Sequence, residues 1–285
     1  MAFSQSDKPP NCLTYPFFYC NVTAHYLYMT KEKIFYGTHE SEFLEVYYPD
    51  PTRFNKKIVV LYHGGFFKKE WDYTLMLQLA KRLEYLGYIA VVAEYPRVGE
   101  GYTCDKMLLS VYNSFTRATQ IYPHATERIA IGHSAGGYYV LMLALQEIFA
   151  DEGFGSKNFS LPTTVIAQAP ITDLWRGHSE KLSDNGDAIY NFVNSCGTKE
   201  ASKLVYDALS PISYEPSNKC LVHLVHGSSD VDVPIVYSTD YVCQWSESSM
   251  LRYHKLPNVN HYDVINPYHA AWTYQQKLLK NSTTH

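Results

Sequence analysis

Short apolar runs of strand length alternate along the chain with longer stretches whose apolar residues recur every three or four positions. That alternation is the sequence form of a mostly parallel sheet covered by helices. The runs are Ile58 to Tyr62, Ile89 to Ala93, Ile129 to Ile131, Thr164 to Gln168 and Leu221 to Val225. They are rich in β-branched and aliphatic residues, and most stop near Gly or Pro. Between the first two, Leu75, Leu79, Leu83 and Leu86 share one helical face and Gly87 stands where a stop is needed, which predicts a βαβ unit. Further helices are predicted from Asp105 to Tyr122, from Gly136 through Ile148, from Ile235 to Trp245 and from Pro267 to Leu279. Leu251 to Leu256 alternates like an edge strand.

Two stretches break the repeat. Residues 1–40 form an N-terminal extension rich in Tyr, Phe and Pro, expected to pack as an extra layer or to cover part of a site. Residues 172–210 are polar and carry Gly177, Gly186 and Gly197, the form of a short helical insertion or cap after a strand. The 285 residues read as one α/β domain, because a single large sheet commonly reaches this size.

Composition narrows the function classes. With 46% hydrophobic and 18% charged residues the chain has a full core and no low-complexity character. Its net charge of -4 is spread without a basic block, which argues against nucleic acid as a partner and for a small molecule. No apolar run is long enough to span a bilayer, and Met1 to Pro10 lacks the form of a secretory signal, so a cytoplasmic enzyme without a membrane role is expected. The six cysteines have irregular spacing and no Cys-x-x-Cys pair, which predicts free, mostly buried thiols. The oligomeric state is open, a homodimer being one option.

The chemistry is concentrated at strand ends. Gly132-His133-Ser134-Ala135-Gly136 has the Gly-x-Ser-x-Gly form of a nucleophile elbow, with a predicted strand before it and a helix after it. The glycines allow a sharp, strained turn that exposes the serine. His63-Gly64-Gly65-Phe66-Phe67 follows the first run directly, and the backbone N–H groups of Gly65 and Phe66, with that of Ala135, are the expected oxyanion donors. His63 itself is expected to pin that loop.

A serine needs a base oriented by an acid, in the chain order serine, acid, histidine for this elbow. Asp230 and Asp232 both lie in the turn after the run 221–225, and Asp230 is preferred because Asp232 sits deeper in the turn that Pro234 closes. His261, in the loop after the last strand, is the expected base, whereas His223, His226 and His254 read as structural. Phe66, Phe67, Trp71, Tyr138 and Trp175 fall near strand ends, where they are candidates for the wall of an aryl pocket. Neither a metal-ligand spacing nor a phosphate or dinucleotide loop is found, so no metal and no cofactor are expected.

With these residues the chain resembles the α/β-hydrolase branch of arylformamidases (kynurenine formamidases), related esterases and prolyl-oligopeptidase-like hydrolases. The resemblance rests on Tyr36-Gly37-Thr38, Val46-Tyr47-Tyr48-Pro49, His63-Gly64-Gly65, the Ser134 elbow, Ser210-Pro211, His226-Gly227 with Asp230, and Asn260-His261-Tyr262-Asp263-Val264-Ile265. It implies an α/β-hydrolase fold and a serine hydrolase in which Ser134, Asp230 and His261 are nucleophile, acid and base. The implied substrates are N-formylkynurenine first, or a short-chain carboxylic ester; a non-catalytic ligand-binding relative is the reading from another class. One departure stands out: the family loop reads His-Gly-Gly-x-Trp and this chain has Phe67 at the last position. Arg97 and Arg176 are the candidates for receiving a substrate carboxylate.

Overall fold

The computed structural model describes residues 31–151, 159–197 and 200–281. Its strands are β1 (Lys31–Phe35), β2 (Phe43–Tyr47), β3 (Lys57–Tyr62), β4 (Ile89–Ala93), β5 (Glu127–His133), β6 (Thr164–Gln168), β7 (Leu221–Gly227) and β8 (Leu251–Leu256). They form one sheet in the order β1-β2-β4-β3-β5-β6-β7-β8. β1, β2 and β4 pair antiparallel, and every pair from β4 to β8 is parallel.

The helices are α1 (Leu77–Tyr85), α2 (Cys104–Ile121), α3 (Ala135–Asp151), α4 (Leu174–Ser179), α5 (Asp187–Asn194), α6 (Lys203–Ala208), α7 (Val236–Gln244) and α8 (Ala270–Asn281). They cover both faces of the sheet. On β3, Ile58, Val60 and Tyr62 join a core with Val111 and Phe115 of α2 and Leu141 of α3. Val59 and Leu61 face the other way, onto Leu79 and Leu83 of α1 and Trp272 of α8. A strand buried on both faces reads as a continuous apolar run, which is why period-two alternation is missing from its sequence. Gly87 ends α1 as expected: it has φ +92, and the backbone bonds Gly87 N to Glu84 O (2.9 Å) and Tyr88 N to Leu83 O (3.1 Å) close the last turn.

Two expectations need correction. Residues 31–35, assigned to the covering extension, are an edge strand of the main sheet, paired in register with β2 from Lys31 opposite Tyr47 to Phe35 opposite Phe43. Their alternation of exposed and half-buried positions is the mark of a one-sided edge, easily lost in a Tyr- and Phe-rich context. Residues 1–30 of the extension lie outside the described residues. The cysteines are the second case: Cys104, at the start of α2, and Cys196, just after α5, form a disulfide with Cα atoms 5.1 Å apart, while Cys220 and Cys243 are free. The sequence hides this pair because the fold brings together positions 92 residues apart. Among the described residues no helix is long and apolar enough to cross a membrane.

Residues 172–210 are a helical insertion between β6 and β7, made of α4, a 3-10 turn at Asp184–Gly186, α5 and α6. Among the contacts that fasten it to the rest of the fold are the Cys104–Cys196 disulfide, the Lys68–Asp184 and Arg176–Asp240 ion pairs, and the ring of Phe192 stacked on Phe67 at 4.0 Å.

On β7 and β8, His223 Nδ1 and His254 Nε2 are 2.9 Å apart and His254 Nδ1 meets the Tyr274 hydroxyl at 2.8 Å. Burial, with His254 and Arg252 adding to it, pushes His223 down to about 4. A histidine with a folded pKa below its unfolded value of about 6.5 takes its proton first in the unfolded chain, so stability falls as pH drops through that interval. From about pH 6.5 to 4 this histidine alone removes about 3 kcal/mol. Urea unfolding at pH 7 and pH 5 is expected to show the loss, and His223→Gln is expected to flatten it.

Candidate active site

β5 runs into α3 through Ser134, which is held at φ 57 in the left-handed region. That conformation is strained for a side chain with a Cβ and is characteristic of functional turns. The turn is over-determined: Ser134 N donates to Gln168 O on β6 at 2.8 Å, and Tyr138 N donates to Ser134 O at 3.0 Å. A Cβ on Gly132 would run into the Gly136 carbonyl oxygen, and one on Gly136 into those of Tyr62 and His63. Gly136→Ala is therefore expected to destabilise the protein by about 1–3 kcal/mol, the usual cost of overpacking, with loss of whatever activity the turn supports. Urea unfolding measures it. The Ser134 hydroxyl is buried and has no hydrogen-bond partner among the described residues.

The loop after β3 lies against this turn. Gly64 is so close that a Cβ on it would sit 2.9 Å from the Ser134 Cβ. Gly65, Phe66 and Phe67 follow with φ of +118, 50 and 62, three successive residues in the positive region. Lys68 N donates to Gly65 O (2.9 Å) and Val98 N to Phe67 O (3.0 Å), which fixes the loop through its carbonyls. Among the described residues the N–H groups of Gly65 and Phe66 have no acceptor. Ala135 begins α3, where first-turn N–H groups have no partner inside the helix.

His63 pins the loop from behind. Its Nε2 lies 3.1 Å from Glu94 Oε1, its ring stacks on Tyr95 at 4.3 Å, and Tyr95 donates its hydroxyl to His63 O at 2.5 Å. Glu94 is buried and also accepts from Tyr73 N at 2.9 Å. This carboxylate went unread in the sequence because nothing local distinguishes it from an ordinary residue at a strand end.

On the other side, Asp230 Oδ2 and His261 Nδ1 are 2.7 Å apart, and both side chains are buried. Asp230 Oδ1 accepts from Asp232 N (3.0 Å) and Val233 N (2.9 Å). Burial alone would raise the Asp230 pKa, but hydrogen bonds from His226 and His261 and the charge of His261 hold it well below the usual carboxylate range. Asp232 therefore contributes a backbone donor to the acid rather than replacing it, although one of its carboxylate oxygens stands within 4.8 Å of ligand atoms of Asp230 and His261. Asp230 and His261 are already joined by their hydrogen bond, and Asp232 meets Asp230 through its backbone N–H.

His133, next to Ser134, ties the two sides together. Its Nε2 donates to His261 O at 2.8 Å, and the two rings are 4.4 Å apart. Burial holds its pKa well below the ordinary value, so it is a neutral donor to the histidine loop. Ser134, the Gly65 loop, Asp230 and His261 thus converge at the ends of β3, β5 and β7 and after β8.

The outer residues divide. Trp71 is 42% exposed and lies against Gly65, where a Cβ would strike its side chain. Phe67 is buried between Tyr138 and Phe192. Trp175 packs within the insertion, against Tyr206 at 5.4 Å, and is not brought to this cluster by any contact described. Arg97 is occupied by Glu94, Glu100, Ser41 Oγ and Trp71 O, and Arg176 by Glu180 and Asp240. Neither is free to receive a substrate carboxylate.

Residues 44–244 match the model of the BD-FAE family. The chain belongs to the BD-FAE family. This BD-FAE chain is also 30% identical over 111 residues to the kynurenine formamidases of Salmo salar and Danio rerio. That match takes in 38% of the chain and spans only about a third, 36%, of those relatives' length. Esterase B of Lactobacillus rhamnosis has a similar fold, with TM-score 0.73 at 16% identity over 93% of this chain and 90% of that one. Esterase 2 of Thermogutta terrifontis, solved phosphoramylated by tabun, gives TM-score 0.65 at 14% identity over 88% and 92%. At these identities the likeness establishes the α/β-hydrolase fold of the BD-FAE chain.

Proposed function

We propose that the chain is a serine hydrolase of small esters or amides, working through an acyl-enzyme within a single α/β-hydrolase domain. The observation that carries this reading is the Asp230–His261 pair at 2.7 Å, held through His133 beside a serine in a strained elbow. Ser134 Oγ attacks the carbonyl carbon while His261 Nε2 takes its proton, and Asp230 orients the ring and stabilises its charged form. The tetrahedral oxyanion receives the N–H groups of Gly65, Phe66 and Ala135. His261 then gives its proton to the leaving group, and water, activated by the same imidazole, releases the acid.

For the substrate, N-formylkynurenine is the first choice. The partial match to two kynurenine formamidases supports it, as do the partly exposed Phe66 and Trp71 at the Gly65 loop, which suit an aryl group, whereas Phe67 and Tyr138 are buried behind them. A short-chain carboxylesterase is the second reading, favoured by the fold likeness to esterases and by the pairing of Arg97 and Arg176, so that neither candidate guanidinium is free for the amino-acid carboxylate. Turnover of N-formylkynurenine beside p-nitrophenyl acetate and butyrate decides between them. A kcat/KM higher for the formamide upholds the first; a clear preference for an ester replaces it and leaves the mechanism unchanged.

A further inference from the structure

We propose that His226 is a positioning residue for the reaction, holding the Asp230 carboxylate through a 3.3 Å contact of the imidazole nitrogen that is itself anchored on Val233 O; this rests on the serine hydrolase reading above. His226 stands one residue before the end of β7 and is fully buried. Its Nε2 lies 2.9 Å from Val233 O and 3.3 Å from Asp230 Oδ2. Both oxygens can only accept, so Nε2 carries a hydrogen; it donates to Val233 O and stands in a longer contact with Asp230 Oδ2. On the far side of the ring, Nδ1 is 2.7 Å from the Ser238 hydroxyl, which is itself buried on α7. A chain of contacts therefore runs from Ser238 through His226 and Asp230 to His261.

What sets this apart from an ordinary satisfied core histidine is the atom it reaches. Asp230 Oδ2 is the oxygen that holds His261 at 2.7 Å and also has His226 Nε2 at 3.3 Å, while Oδ1 receives two backbone N–H groups. Three hydrogen bonds and the His226 contact surround one carboxylate, so it cannot rotate without breaking several of them. The second imidazole also draws negative charge away from the bond to His261. Without it, Oδ2 becomes a better acceptor, the charged form of His261 is favoured, and the pH at which the base gains its proton rises. The other titratable groups facing the pair are His133 from β5, Asp232 from the same turn and Tyr262 from the histidine loop.

Amide side chains separate donation from mere polarity. In His226→Gln the amide nitrogen reaches the place of Nε2, whereas in His226→Asn it reaches only the place of Nδ1. With p-nitrophenyl acetate, His226→Asn is expected to lower kcat by about 10- to 100-fold, the range for outer partners that orient reacting side chains, with KM little changed. The acid limb of kcat/KM is expected to move up by on the order of half a pH unit. His226→Gln is expected to recover most of both changes. Ser238→Ala, a smaller perturbation from the α7 side, is expected to move the limb in the same direction by less, and it supplies the readout if His226→Asn does not fold. Equal impairment in the Asn and Gln variants, or an unmoved limb in His226→Asn or Ser238→Ala, overturns the role. A fluorophosphonate probe run on the wild type separates the two levels: labelling at Ser134 with an unmoved limb removes only the His226 role, whereas failure to label removes the hydrolase reading and this role with it.

Discussion

Ser134→Ala is expected to reduce kcat on p-nitrophenyl acetate by about six orders of magnitude, leaving a residual rate about a thousandfold above uncatalysed hydrolysis. The substitution removes one oxygen, and the hydroxyl it deletes has no hydrogen-bond partner among the described residues. Nothing in the fold depends on that atom: the turn is held by Ser134 N on Gln168 O and by Ser134 O accepting from Tyr138 N, both backbone bonds that alanine keeps. Stability should therefore stay level, or rise slightly, while chemistry is lost. The residual rate is expected from the proposed oxyanion donors, the N–H groups of Gly65, Phe66 and Ala135, whose backbone the substitution leaves in place. Steady-state kinetics together with urea unfolding read both halves, and a near-normal kcat on folded protein would remove Ser134 from the mechanism.

The second large effect is expected at the acid. Asp230→Asn should lower kcat by about four orders of magnitude. The amide keeps the shape, but with one oxygen it cannot accept His261 Nδ1–H while also accepting from Asp232 N and Val233 N. It favours the wrong tautomer of His261 and no longer stabilises the charged ring. Asp232→Asn leaves the Asp232 N–H bond to Asp230 Oδ1 in place and is expected to cost less than about tenfold, an effect of a nearby charge on His261. Rates of the two variants side by side check the assignment, and the reverse ranking would transfer the acid to Asp232.

Where the sequence was legible, the physics was local. The parallel strands announce themselves because burial on both faces demands uninterrupted apolar runs, as in Ile58 to Tyr62. Gly132, Ser134 and Gly136 were readable because a sharp turn with close backbone contacts admits few residue types. Asp230 and His261 followed from chain order and strand ends. What escaped depends on contacts between positions far apart in the chain. Cys104 meets Cys196 only once the insertion folds over α2, Glu94 meets His63 only across neighbouring strands, and the Lys68–Asp184 pair joins a loop to the insertion. The edge strand Lys31–Phe35 escaped for another reason: with one face open it needs only alternate half-burial, and charged residues fill the rest. Trp175 and the two arginines were placed near strand ends by position, but packing and ion pairs within the fold direct them elsewhere.

The most direct measurement is covalent labelling with a fluorophosphonate, followed by mass spectrometry of the peptide that contains residue 134. A probe adduct on Ser134 of the wild type, lost in Ser134→Ala and strongly slowed in His261→Ala, is the expected result. An unlabelled Ser134 in folded wild-type protein, or labelling that proceeds at the same rate without His261, would contradict the serine mechanism.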